Sequence, residues 1–269
     1  MIAAAQVDRY LERIGAQRPE RADLAALRHL QERHVLSVPF ENVDYHVEGA
    51  EVSLDRDRIL DKIVDRRRGG GCYELNPAFA TLLGALGFTV SMLPGRVYLG
   101  GRFGPPLCHL ALRVDLDEPY LVDVGFGKGS RRPLRIGETG VQHDPHGDYR
   151  VEVTEEGDID AFLNGDRQYR LENRPTELTD YLPTFWWYRT APDSVFRHNL
   201  ITTLQTDFGR VTLNGEELTR TDRDGRRTER LVGEDAVRDA YEKHFGIVLD
   251  RLPTEPRIDP AERIVMQID

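Results

Sequence analysis

Three consecutive glycines, Gly69-Gly70-Gly71, run directly into Cys72 and then into a helical pattern, and this junction constrains the chain more than any other feature. Leu75, Phe79, Leu82, Leu83 and Leu86 recur at i, i+4, i+7, i+8 and i+11, with Pro77 tolerated near the helix start and Gly87 at its end. Cys72 is therefore expected at or just before a helix N-terminus. Glycines there let backbone approach a substrate, and free N–H groups with the helix dipole favour thiolate over thiol. The competing reading is a buried structural cysteine, since free Cys is among the most buried residue types.

Elsewhere in the first third, Leu24, Leu27 and Leu30 recur at i+3. Ile59, Leu60, Ile63 and Val64 form a stripe after Asp55, a plausible N-cap, with Gly69 expected to stop that helix and Arg66-Arg67-Arg68 expected as its solvated end. From about Thr89 the period becomes two: Cys108, Leu110, Leu112, Val114 and Leu116 alternate with His109, Ala111, Arg113 and Asp115, and Tyr120, Val122 and Val124 with Leu121 and Asp123. The charge-rich stretch from Arg131 to about Pro175 reads as loops and edge strands. Strands resume near Leu200–Leu204 and Val211–Leu213, and Asp235–Phe245 reads as a helix.

A thiolate nucleophile needs a base, and the base needs an orienting acceptor. A hairpin centred on Leu116 sets His109 opposite Asp123, on the face away from Leu110, Leu112, Val122 and Val124, with Cβ atoms about 5 Å apart. A slip of one residue destroys that pairing, and two polar residues on a wet strand face are the alternative. Strand alternation turns Cys108 to the opposite face, as a core residue.

The chain has 269 residues, which by length alone suggests two domains, and carries 36 Lys and Arg against 46 Asp and Glu, a formal charge of −10. That balance argues against a general nucleic-acid or anionic-membrane binder. Two cysteines, a short apolar run before Asp8, and no apolar run of about 18 residues lead us to expect a cytoplasmic protein that neither spans nor binds a membrane. Gly125-Phe126-Gly127-Lys128-Gly129-Ser130 matches neither phosphate-loop pattern; it is a glycine-rich turn or a loop admitting a phosphate-bearing cofactor beside Lys128, Arg131 and Arg132. His143 and His146 lack further ligands, so no metal site is expected and both read as residues of a solvated loop.

Val38-Pro39-Phe40-Glu41-Asn42-Val43-Asp44, Arg68-Gly69-Gly70-Gly71-Cys72-Tyr73-Glu74-Leu75-Asn76, His109-Leu110, Asp123-Val124-Gly125-Phe126-Gly127 and Pro192-Asp193-Ser194-Val195-Phe196 with Asn199 occur in this order. On these motifs the chain resembles the arylamine N-acetyltransferase family over most of its length. The resemblance implies an α+β fold with a cysteine-protease-like core: an N-terminal helical bundle carrying the nucleophile (1–88), a central antiparallel β-barrel carrying His and Asp (89–190), and a C-terminal α/β lid (191–269). It implies Cys72 as nucleophile, His109 as base and Asp123 as its orienting group. Phe40, Phe126 and Phe196 are the implied substrate-binding aromatics, and Gly125 and Gly127 the implied contacts to the acyl donor.

The implied activity is ping-pong transfer of an acyl group from acetyl-coenzyme A, a cosubstrate rather than a tightly bound cofactor, to a small aromatic amine. The family also resembles amide synthases that take a polyketide chain from an acyl carrier protein and close a macrolactam. Gly71 departs from the bulky residue usual at this position and leans toward a larger acyl group. Hydrolysis by the same triad, without coenzyme A, and a catalytically silent binding protein are the remaining alternatives.

Overall fold

The computed structural model describes residues 2–254 and 256. Four helices open the chain. In α1 (Ala4–Ile14), Val7, Tyr10, Leu11 and Ile14 are buried at i, i+3, i+4 and i+7, and Gly15 closes the helix in the left-handed conformation. In α2 (Leu24–Ser37), the Asp23 carboxylate caps the Ala26 N–H, and Leu27 and Leu30 face inward. α3 (Arg56–Leu60) starts on Asp55, whose carboxylate accepts from the Asp57 and Arg58 N–H groups. α4 (Cys72–Ala85) begins with the cysteine as its first helical residue and is buried along most of its length.

The helix expected to run from Asp55 to Gly69 ends earlier. After α3 the chain enters a π-helical turn, Asp61–Asp65, which buries Lys62, Ile63 and Val64 in succession, a wider inward face than an α-helical stripe allows. It stops at Arg66, with Arg67 at φ 53°. Gly69 does not stop the helix but permits a close approach, since a Cβ there would lie 2.0 Å from the Pro39 carbonyl oxygen. The chain at Pro39–Glu41 runs flush against the glycines, with the Glu41 N–H donating to the Gly70 carbonyl.

Eight antiparallel strands follow: β2 (Thr89–Val97), β3 (His109–Asp115), β4 (Pro119–Val122), β5 (Leu134–Arg135), β6 (Gln142–Asp144), β7 (Gly147–Val153), β8 (Ile159–Leu163) and β9 (Asp166–Leu171), in the order β5-β4-β3-β2-β9-β8-β7-β6. β1 is the short Phe40–Glu41 segment upstream. The Gln142 side chain, accepting from the Arg135 N–H and donating to its carbonyl, links the two edges, so the sheet is a nearly closed barrel. Leu93, Ala111, Leu121, Tyr149, Val151, Ile159 and Leu171 fill its interior. The stretch read as loops and edges thus supplies five of the eight strands. Its many charges lie on the barrel exterior, and only every second residue enters the core.

The other face of β2–β4 packs on α4 through Leu110, Leu112, Val114 and Val122. β3 and β4 are therefore buried on both faces, and His109 does not lie on a wet one. The hairpin register is also shifted: Leu112 pairs with Val122 and Arg113 with Leu121, so the turn centres on Asp117 rather than Leu116. A shift of two residues preserves the face of every side chain, and His109 and Asp123 remain neighbours, now diagonally.

The chain then forms α5 (Leu182–Thr190), α6 (Val195–His198) and a second antiparallel sheet of β10 (Ile201–Thr206), β11 (Gly209–Asn214), β12 (Glu217–Asp222) and β13 (Gly225–Arg230), with β1 at one edge. α7 (Glu234–Phe245) covers it, packing Ala240, Tyr241 and Phe245 against Leu213 and Leu218. β1 pairs Phe40 with Thr203 of β10, which ties the segment before the glycine run to the C-terminal sheet.

Candidate active site

Cys72 is 5% exposed. The glycine that precedes it caps α4 in reverse: the Glu74 carboxylate turns back to accept from the Gly71 N–H at 2.9 Å. Gly70 makes room for that turn, since a Cβ there would stand 2.7 Å from Glu74 Oε2.

One turn along the same face, Asn76 joins the three sequence-predicted residues. Its Nδ2 donates to the Leu110 carbonyl at 2.7 Å and to Asp123 Oδ1 at 3.0 Å, and its Oδ1 accepts from the Val124 N–H at 3.0 Å. His109 Nε2 lies 2.7 Å from Asp123 Oδ2, and both side chains are almost fully buried. The Gly125 N–H also donates to the Asp123 carboxylate, and the Tyr169 ring packs on His109 at 4.7 Å between centroids. With Nε2 taken by Asp123, Nδ1 is the imidazole nitrogen left for other chemistry. In the sequence Asn76 stands out only as part of a motif; the signal that could have singled it out is the i, i+4 spacing from Cys72, which sets both on one helix face. Tyr169 lies on β9, about a hundred residues from Cys72, and carries no such signal.

Burial pushes the Cys72 thiol up, the nearby Asp123 charge pushes the same way, and the backbone at Leu110 and Tyr73, which favours the thiolate, offsets only part of this. Desolvation therefore opposes the thiolate-favouring effect expected of the glycines and the helix N-terminus. A proton acceptor is needed to ionise this sulfur.

The three candidate aromatics do not form one group. Phe126 stacks edge-on against His109 at 5.1 Å and Tyr169 at 4.8 Å between ring centroids. Phe40 and Phe196, 6.1 Å apart, lie on the other side of Cys72, where Tyr45 and Tyr188 also pack on Phe196. Phe40, Tyr45, Gly71 and Phe196 line a small cleft whose floor is Glu41, Asp44, Lys62 and Glu74.

That floor corrects the reading of the arginine run. Arg68 is not a solvated helix end: its guanidinium pairs with Glu41 Oε1 at 2.7 Å and Asp44 Oδ1 at 2.9 Å, while Lys62 pairs with Asp44 and Glu74 at 2.8 and 2.7 Å. Burial and three carboxylates act on Lys62 in opposite senses, and the carboxylates prevail, so it stays charged. Removing one member would strand a buried charge.

The loop after Asp123 owes its glycines to packing. A Cβ on Gly125 would lie 2.7 Å from the Cys72 Cα, and one on Gly129 would lie 2.4 Å from the Asp123 carbonyl oxygen, while Gly127 has φ 82°. Arg131 is buried and donates to the Thr206 carbonyl, whereas Arg132 is exposed. His143 is exposed on β6 and bonded to Asp148, but His146 is half-buried against Arg131, and burial with the Arg210 and Arg131 charges lowers its pKa to about 4. His146 therefore departs from the solvated-loop reading. Cys108 is buried in the core, its sulfur accepting from the Val97 N–H.

Residues 23–253 match the N-acetyltransferase family model. An arylamine N-acetyltransferase of Mycolicibacterium smegmatis is 36% identical over 257 residues, covering 90% of this chain and 92% of that one. The structure of arylamine N-acetyltransferase from M. tuberculosis superposes with a TM-score of 0.81 at 32% identity, covering 90% and 93% of the two chains. That of the Mycobacterium marinum enzyme in complex with CoA gives 0.80 at 32%, covering 90% and 92%. With the fold and these matches agreeing, the chain belongs to the arylamine N-acetyltransferase family and is an acyltransferase.

Proposed function

We propose that the protein transfers an acetyl group from acetyl-coenzyme A to an aromatic amine by a ping-pong mechanism through a Cys72 thioester. The observation that carries this reading is the hydrogen-bonded set Asp123–His109 and Asn76, fixed beside a buried cysteine at a helix N-terminus. His109 Nδ1 takes the Cys72 proton as the sulfur attacks the thioester carbonyl. The tetrahedral oxyanion is held by backbone N–H groups near Cys72, and the carbon–sulfur bond to coenzyme A breaks as His109 returns the proton to the departing thiolate. The amine then attacks the acyl-enzyme, gives its proton to His109, and releases the amide with Cys72 restored as a thiol.

In this reading Phe40 and Phe196 hold the aromatic acceptor, Phe126 buttresses His109, and Gly125 and Gly127 lie along the path of the donor. The CoA complex of the M. marinum relative supports the donor. The division into 1–88, 89–190 and 191–269 is retained as part of the proposal; residues 257–269 lie outside the described structure. The two free cysteines suit a reducing cytoplasm, and no helix among the described residues is long and apolar enough to cross a membrane.

The test is the intact mass of the wild type and Cys72→Ala after brief incubation with acetyl-coenzyme A and no acceptor. One added acetyl group on the wild type alone is the expected result. Retained turnover in Cys72→Ala would sink the mechanism.

A second reading, release of a polyketide chain from a carrier-protein thioester as a macrolactam, is favoured by one observation. A Cβ on Gly71 would meet nothing within 4 Å, so space is open beside the nucleophile. Wild type that alkylates readily at Cys72 yet takes no acetyl group from acetyl-coenzyme A would move this reading ahead.

A further inference from the structure

The loop that follows Asp123 is caught by four consecutive carbonyls. Arg210 on β11 donates to that of Gly127, the Tyr149 hydroxyl on β7 to that of Lys128 at 2.8 Å, Gln205 Nε2 on β10 to that of Gly129 at 2.6 Å, and Gln31 Nε2 on α2 to that of Ser130 at 2.8 Å. The N-terminal helices, the barrel and the C-terminal sheet thus all send side chains to one short segment. Gln31 and Gln205 are buried, and the Oε1 of each has no hydrogen-bond partner among the described residues. A methionine would fill the same space without that unmet oxygen, so the two amides serve the loop rather than the packing around them.

The segment needs such holding. It has no regular secondary structure, and Gly125, Gly127 and Gly129 leave an unrestrained backbone many conformations. Its middle, Phe126 to Lys128, is half-buried, and there Phe126 packs edge-on against His109. The Asp123 hydrogen bond pins one imidazole nitrogen and leaves the ring free to swing about it. A neighbouring aromatic ring removes that freedom only if it is itself fixed. We propose that Gln31, Tyr149, Gln205 and Arg210 are positioning residues for acyl transfer: by clamping the loop they keep Phe126 against His109, and so keep the imidazole in the orientation that serves Cys72. The inference rests on the acyltransfer reading and adds to it the residues that hold its base from a distance.

The experiment uses Tyr149→Phe, which removes one hydroxyl and leaves the ring in the barrel core, and Gln205→Met, each alone and combined with Phe126→Ala. Two rates at Cys72 are followed by quenched intact mass: acetylation by acetyl-coenzyme A over a range of concentrations, and alkylation by iodoacetamide at pH 7, with Cys72→Ala as the blank. Each clamp variant should lower the limiting acetylation rate and the alkylation rate about tenfold, as a small misplacement of a catalytic group does. The half-saturating concentration of acetyl-coenzyme A should stay within about twofold. On Phe126→Ala neither substitution should cost anything further, because the ring through which it acts is gone. Unchanged rates in both clamp variants, or losses that persist in full on Phe126→Ala, overturn the proposal. A raised half-saturating concentration at an unchanged limiting rate also overturns it, since the loop would then be holding the donor. Iodoacetamide needs no donor, so wild type that alkylates but takes no acetyl group defeats the acyltransfer reading, while the alkylation cycle still decides whether the clamp positions His109.

Discussion

On the barrel side of Cys72, the polar groups around His109 are tightly engaged: the Asp123 carboxylate accepts from His109, Asn76 and Gly125, and Asn76 uses both ends of its amide. On the opposite side, toward α5 and α6, Gly71 faces open space and aromatic rings meet at loose angles around a cleft. One flank is dry and over-determined; the other leaves open space beside Gly71 among aromatic rings over a charged floor. The contrast separates two chemical demands. Proton transfer needs groups held within fractions of an ångström, whereas accepting a substrate needs room beside them.

The closed flank breaks most sharply at Asp123. Asp123→Asn keeps the shape but leaves His109 without its carboxylate, and the rate of Cys72 acetylation is expected to fall on the order of 10³-fold, measured by quenched intact-mass time courses. A drop below about tenfold would mean that the Phe126 and Tyr169 rings packed on it, not Asp123, set the orientation of His109.

Filling the open flank should do far less to the chemistry and more to selectivity. In Gly71→Phe the backbone, at φ −85°, suits any residue. Turnover with acetyl-coenzyme A should stay within about fivefold, while a thioester with a long acyl chain should lose about tenfold or more, as steric discrimination of a few kcal/mol allows. Equal losses for both donors would place the open space outside the acyl path.

The dryness extends behind α4, where His34 is fully buried against Phe79 and bonded to Tyr10. Burial and then the Arg13 charge lower its pKa to about 3. Unfolded, it binds a proton near its ordinary value of about 6.5, so below that pH the unfolded state holds the extra proton and folding stability falls. By pH 5 the loss from this residue is about 2 kcal/mol. Urea unfolding at pH 7.5 and 5 should show this dependence in the wild type and a shallower one in His34→Gln.

Much of the closed flank was legible in the chain, because its constraints are local or of known period. The glycine run set Cys72 at a helix start, and alternation kept His109 and Asp123 on one face even though the register moved by two residues. The barrel half after Arg131 was illegible, since strands whose outer faces carry charge and whose inner faces meet a curved interior lack a clean apolar run. Arg68 misled for a related reason: three adjacent arginines look solvated until the partners that bury one of them, Glu41 and Asp44, arrive from more than twenty residues away.

The sequence by itself determined that Cys72 stands at a helix start, the order Cys72, His109, Asp123, and a family resemblance that the comparisons bear out. Only the tertiary structure decided that Gly69 is pressed by backbone while Gly71 faces space, that Lys62 and Arg68 are buried with their carboxylates, and that desolvation opposes the helix terminus at Cys72. The reason is physical. Spacing along a chain fixes which face a side chain takes, but burial, crowding and charge pairing depend on segments that meet only when the chain has folded.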